Sequence, residues 1–189
     1  MNDFPDLVRK ARSFRRFVEK EPLGEAFLRS LVDLARIAPC SGNLQPLRYR
    51  IVLGPACAKV FPHLRWAARL KGWGGPKEGE RPTGYILILS PAAQKNPPLT
   101  DVGIAAQTMQ LAATAAGFGL CQLGSIDRPA IQQALALPAE WRIDLVLAVG
   151  RPAEKVILDE AKAGQTLAYY RTPDDVHHVP KLSLDDVLV

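Results

Sequence analysis

The chain has 189 residues, 48% of them apolar, which is enough for one ordinary globular core and argues against intrinsic disorder. A formal charge of +5 favours anionic partners, but its Lys and Arg are scattered. No zinc-ligand spacing, RNA-binding aromatic motif or recognition helix accompanies them, which sets nucleic acid aside.

Three cysteines, Cys40, Cys57 and Cys121, show no framework spacing. That argues against a disulfide scaffold, and a reducing cytoplasm is the expected compartment. The acidic start, Met-Asn-Asp-Phe-Pro-Asp, lacks the apolar run of a secretory leader.

A short helix is expected from Phe4 to Arg12, with Leu7 and Val8 facing inward. It leads into Ala11-Arg12-Ser13-Phe14-Arg15-Arg16-Phe17. There Arg12, Ser13 and Arg15 gather two guanidinium forks and a hydroxyl, a set suited to gripping a phosphate. Alone, the cluster reads equally well as a solvated basic patch beside the core residue Phe17. After Pro22, Leu23, Phe27, Leu28, Leu31, Leu34, Ala35 and Ala38 recur at helical spacing, until Pro39 ends the run. The loop that follows carries Cys40, Ser41, Gly42, Asn43 and Gln45. Small residues let the backbone approach a flat polar ligand, and the carboxamides offer donors and acceptors. Such loops are also common without any ligand.

A strand is expected at Arg48–Leu53, closed by Gly54-Pro55. Ala56 to Leu70 reads as a second amphipathic helix, distorted at Pro62, whose His63 has no second metal-type ligand at useful spacing. Lys71 to Pro82 is rich in Gly, Pro and charge and is expected to be a loop, with Trp66 and Trp73 as candidate lid residues. The apolar run Tyr85–Leu89 reads as a buried strand. After a connector from Pro91 to Pro98, Thr100-Asp101 is expected to cap a central helix reaching about Ala116. Val102 to Ile126 is uncharged and long enough to span a bilayer. Gln107, Thr108, Gln110, Thr114, Gln122 and its many Ala and Gly residues mark a core helix instead, so no membrane association is expected.

Glycines after that helix have the wrong spacing for a dinucleotide-binding fingerprint, and they follow a helix where the motif opens one. A strand at Leu120–Leu123, a turn at Gly124-Ser125-Ile126, a helix at Arg128–Leu137 and a strand within Trp141–Gly150 come next. The tail reads as polar and irregular up to Val179–Val187. Four strands alternate with helices, without the glycine-rich turn of a doubly wound domain. The expected fold is therefore one α+β domain over residues 1–189, with helices on both faces of a mixed sheet.

Three stretches together resemble the nitroreductase-like family of flavin enzymes. They are Arg12-Ser13-Phe14-Arg15-Arg16-Phe17, Ala38-Pro39-Cys40-Ser41-Gly42-Asn43-Leu44-Gln45-Pro46, and a set that runs from Asp101 and Gly-Ile-Ala-Ala-Gln through Leu123-Gly124-Ser125-Ile126-Asp127 to Leu-Ala-Val-Gly-Arg-Pro-Ala-Glu. Val179-Pro180-Lys181 is similar to that family's closing basic element. The resemblance implies an FMN-dependent NAD(P)H oxidoreductase, an intertwined homodimer with its active sites at the subunit interface. Hydride would come from NADH or NADPH, and a small-molecule acceptor such as a nitroaromatic or quinone would be reduced by a ping-pong mechanism. It also implies that Arg12, Ser13, Arg15 and Lys181 hold the FMN phosphate. Pro39, Cys40, Ser41 and Asn43 of the other subunit would contact the flavin. Backbone around Leu123, Gly124 and Ser125 would face the flavin N5 region. Asp101 and Gln107 are weaker candidates. A flavin carries the redox chemistry itself, so no catalytic side chain is expected.

The chain departs from the family pattern at Ala11 and Leu47, where arginine and tryptophan are usual, and at Cys40 in place of serine. Its short middle segment leaves the acceptor unconstrained. A flavin-binding carrier, sensor or flavin-consuming protein would share the same phosphate clamp. A hydrolase built on Cys40 would need His63, His177 or His178 as its base.

Overall fold

The computed structural model describes residues 4–189. Four strands form the central sheet: β1 (Arg48–Leu53), β2 (Gly84–Pro91), β3 (Gly119–Leu123) and β4 (Trp141–Gly150). Their order is β1-β2-β4-β3, and every neighbouring pair is antiparallel. The central sheet is therefore not the mixed one expected. β4 inserts between β2 and β3, which run the same way without touching, a placement that strand–helix alternation alone does not specify.

The two faces of β2 sort its side chains. Ile86 and Ile88 join Leu147 and Val149 of β4 under helices α2 (Glu25–Arg36) and α4 (Leu99–Ala115). Tyr85, Leu87 and Leu89 join Val146 and Ala148 on the opposite face, under α3 (Cys57–Val60) and α5 (Arg128–Ala134). The pairing shifts so that Ile88 faces Leu145 while Leu89 faces Ile143. Asp144 is the extra residue of this bulge, which brings Ile143 to the same face as Val146.

Several element boundaries differ from expectation. Helix α1 (Phe4–Lys10) stops short of Arg12, and its Val8 is exposed rather than inward. Helix α2 starts at Glu25 after Gly24, not at Pro22, and buries Leu28, Leu31 and Ala35 while Leu34 faces outward. Between Ala56 and Leu70 only one α-turn forms, followed by a 3-10 turn at Phe61–His63. Pro62 lacks the N–H that would continue the helix, and Leu64 turns extended to bridge Ile126. Helix α4 begins at Leu99 behind Pro98, so Asp101 lies in the first turn and not at the cap. Helix α5 ends at Ala134, short of Leu137.

Thr108, Gln110 and Thr114 of α4 are satisfied inside the protein. Thr108 and Thr114 donate to the carbonyls of Ile104 (2.8 Å) and Gln110 (2.9 Å). Gln122 of β3 donates to the Gln110 side chain at 2.8 Å. Among the described residues no helix is long and apolar enough to cross a membrane.

The tail is not irregular. Strands β5 (Val156–Ala161), β6 (Tyr170–Arg171) and β7 (His177–Leu182) form a second sheet in the order β5-β7-β6. Here the pairing is mixed, parallel between β5 and β7 and antiparallel between β6 and β7. Asp159, Glu160, Pro180 and Lys181 interrupt any clean apolar alternation, which hid these strands in the sequence.

Candidate functional site

The segment after α1 is neither helix nor strand, yet it is tightly tethered. Phe14 N–H donates to the Leu120 carbonyl at 3.1 Å, and Val18 N–H to that of Arg151 at 2.8 Å. One carboxylate oxygen of Glu154 accepts the backbone N–H groups of Arg15 and Arg16, while its other oxygen pairs with Arg171. The Glu154 side chain is only 1% exposed, so this is a buried, fully engaged carboxylate. Phe14 and Phe17 lie against glycine backbone. A Cβ on Gly119 would sit 2.9 Å from the Phe14 side chain, and one on Gly150 at 2.9 Å from Phe17.

This scaffold opens a cleft of about 390 Å³. Arg12, Ser13, Arg15 and Lys181, far apart in the chain, line it together. Carboxamides of Gln107, Gln110 and Gln122 also face it, with Tyr169 and His177 from the second sheet and its approach. Among the described residues, no carboxylate lies within ion-pairing distance of Arg12, Arg15 or Lys181. Arg16, by contrast, pairs with Glu80 and Asp175, so its charge serves the scaffold. The Arg12 guanidinium donates to the Val8 carbonyl, while its Nε is buried without a partner among the described residues. Burial pushes the Arg12 pKa down. Arg15 lies 4.9 Å over the Tyr169 ring, with its Nη1 3.1 Å from His177 Nε2. Three uncompensated cations, a hydroxyl and carboxamides in one cleft can bind a phosphate-sized anion.

The Pro39–Asn43 loop belongs to a different cavity. Pro39 and Cys40 line an apolar slot of about 240 Å³ with Val32, Leu47, Tyr49 and Ile104. Ser41–Asn43 form a 3-10 turn, in which Gly42 and Asn43 take positive φ. Ser41 donates to Asp101 through its backbone N–H (2.9 Å) and its hydroxyl (3.1 Å). Ser41 and Asn43 are exposed and do not themselves line the slot.

A third cluster, after β3, opens onto neither cavity. Gly124 and Ser125 are exposed, but the Leu123 side chain is buried in the core, leaving only its backbone for a ligand. Cys40 has no histidine among its cavity neighbours, which removes the structural basis for a cysteine hydrolase.

Sequence reasoning passed over Glu154 and Tyr169, named His177 only as a base for Cys40, and took Gln110 and Gln122 only as marks of a core helix. Glu154 stood inside a stretch already singled out, the Arg-Pro-Ala-Glu run. Nothing in the sequence tied Tyr169 or His177 to the expected phosphate-binding residues, because only the pairing of the second sheet carries them to the cleft.

The nitroreductase family model matches residues 8–151. Protein DrgA from Synechocystis is 24% identical over 176 residues, covering 79% of this chain and 84% of that protein. A 5,6-dimethylbenzimidazole synthase from Rhodospirillum rubrum is 28% identical over 176 residues, covering 78% and 79%. Among solved structures, a protein from Desulfovibrio desulfuricans assigned as a nitroreductase and solved in complex with FMN superposes with a TM-score of 0.66. It shares 26% identity and covers 82% of this chain and 88% of its own.

Proposed function

This chain belongs to the nitroreductase family, and we propose that within it the protein is an FMN-dependent oxidoreductase. It takes hydride from NADH or NADPH and reduces a small acceptor, a nitroaromatic or a quinone, with donor and acceptor using the same site in turn. The observation that carries this reading is the cleft where Arg12, Arg15 and Lys181 meet without a carboxylate, among the described residues.

The residues fit the group. A ribityl phosphate is a dianion needing several charge-assisted donors, and the buried Arg12 Nε is a donor lacking an acceptor among the described residues. Arg12, Arg15 and Lys181 would neutralise it, Ser13 would add a hydroxyl, and Gln107, which lines the same cleft, would offer a carboxamide to the ribityl chain. When bound, FMN supplies hydride acceptance from the nicotinamide and delivery to the acceptor. Asp101 fixes the Ser41 turn, and the slot beside Cys40, apolar on the Val32, Leu47 and Ile104 side and edged by Arg36, Arg48 and Asp101, would offer a surface for a flat ring.

The same reading includes a homodimer whose sites combine the phosphate cleft of one subunit with the Pro39–Asn43 loop of the other. Two features support it: cleft and loop line separate cavities within one chain, and large apolar side chains are left bare nearby. Ile37 (64% exposed) and Leu44 (79%) flank the loop, and Phe4 and Leu99 are also exposed.

A second reading, a flavin-binding protein without nitroreductase turnover, is favoured by the similarity to a 5,6-dimethylbenzimidazole synthase. Rapid mixing under anaerobic conditions separates the two. FMN-loaded protein should bleach with NADH or NADPH and regain colour on adding a nitroaromatic or quinone. Flavin bands that persist with both donors would favour the second reading. Protein that stays colourless after soaking in FMN would contradict both.

A further inference from the structure

We propose that His177 is a positioning residue for the anion clamp: as a neutral imidazole protonated on Nδ1, it accepts from Arg15 through Nε2 and holds that guanidinium on the cleft. This rests on the flavin reading above and deepens it.

The tautomer follows from the chemistry of the pair. A guanidinium N–H only donates, and it lies 3.1 Å from His177 Nε2, so that nitrogen must carry the lone pair. The proton then sits on Nδ1, which is buried and without a partner among the described residues. His177 is fully enclosed, and its position is set by the backbone. Its N–H donates to the Lys155 carbonyl at 2.9 Å, and β7 pairs it with Val156 of β5 and Arg171 of β6. The Tyr169 ring lies 5.4 Å from the imidazole and 4.9 Å from the Arg15 guanidinium, closing a triangle of three packed groups. Besides these, among the described residues the Arg15 guanidinium has only a long contact to the Ser13 carbonyl, at 3.4 Å.

A neutral acceptor suits this position better than an acid. A carboxylate would orient Arg15 and also cancel its charge, and a clamp for an anion needs the charge left free. Arg15, Arg171 and His178 are the cations or potential cations near His177, with Glu154 the one carboxylate among the described residues, already engaged by Arg171 and the backbone of the Arg15 segment. Burial, and then the nearby Arg15, push the His177 pKa down to about 4, which keeps the acceptor lone pair at neutral pH.

The test compares affinity for FMN with affinity for riboflavin, which lacks the phosphate, by fluorescence titration of wild type, H177F and H177Q. In wild type FMN should bind more tightly than riboflavin. H177F should reduce that preference by about tenfold or more, the scale of one charge-assisted contact, while leaving riboflavin binding in place. H177Q carries a carbonyl near the Nε2 position and should retain most of the preference. Between pH 6.5 and 4 the wild-type preference should fall more steeply than that of H177Q, which controls for titration of the phosphate itself. An undiminished preference in H177F, or matching pH profiles, would overturn the role of His177 and leave the flavin reading standing. A wild type that binds FMN no better than riboflavin would overturn both.

Discussion

Asp101, 4% exposed in the first turn of α4, accepts both the backbone N–H and the hydroxyl of Ser41 through one carboxylate oxygen. A residue that looked like a helix cap in the sequence instead ties the Pro39–Asn43 loop to the central helix. Hydrogen bonds to a charged acceptor contribute about 1.5–3 kcal/mol. D101A should therefore lower stability by about 2 kcal/mol, and D101N, which keeps an acceptor, by less. Urea unfolding of the three proteins checks the order, and equal midpoints would show the tether to be idle.

Glu154 should be the most costly single polar substitution around the cleft. E154A leaves the Arg171 guanidinium with Asp175 as its remaining carboxylate and takes the acceptor from two backbone N–H groups, so the loss should fall toward the lower end of the about 3–5 kcal/mol that breaking a buried pair costs. E154Q preserves an acceptor for the N–H groups and should fall between wild type and E154A in thermal midpoint. Loss of stability in E154Q as large as in E154A would place the whole effect on the charge.

Acid should destabilise the protein in a window set partly by His177. An unfolded histidine titrates near 6.5, whereas the enclosed one is held to about 4 by burial first and Arg15 second. Between those values the unfolded chain binds a proton that the folded chain does not. Stability therefore drops as pH is lowered through the window, by at most about 1.4 kcal/mol per pH unit from this group. Above pH 6.5 this contribution is constant. Urea titrations at stepped pH should show a shallower acid slope for H177Q than for wild type, and parallel slopes would contradict the assignment.

Packing of the tethered segment depends on two absent side chains. G150A would push a methyl to 2.9 Å from Phe17, and G119A would do the same against Phe14. Overpacking of this kind costs about 1–3 kcal/mol. Both variants should melt earlier than wild type, and both should bind FMN more weakly, because the Arg12–Arg15 segment rides on those phenyl rings.

The sequence made the local parts legible and left the long-range ones dark. The strand Trp141–Gly150 and the core helix ending near Ala115 followed from apolar runs and terminating glycines. The short motif Arg12-Ser13-x-Arg15 marked one wall of the cleft, and Lys181 in Val179-Pro180-Lys181 marked another. What joins them was invisible, because strands β5 to β7 mix charges, proline and histidine and acquire order only by pairing with each other. The place of His177 and Tyr169 at the cleft was missed for that reason. The direction of the central strands was missed for another: alternation of strand and helix is the same whether β4 lies at the edge or between β2 and β3.

The most direct test of the phosphate clamp is the flavin retained after protein soaked in FMN is passed through a desalting column, for wild type and the R12M/R15M double variant. Wild type should emerge yellow with a full complement of FMN, and the double variant should lose its flavin while keeping its fold by circular dichroism. A colourless wild type, or a double variant that holds FMN as tightly as wild type, would contradict the assignment of this cleft.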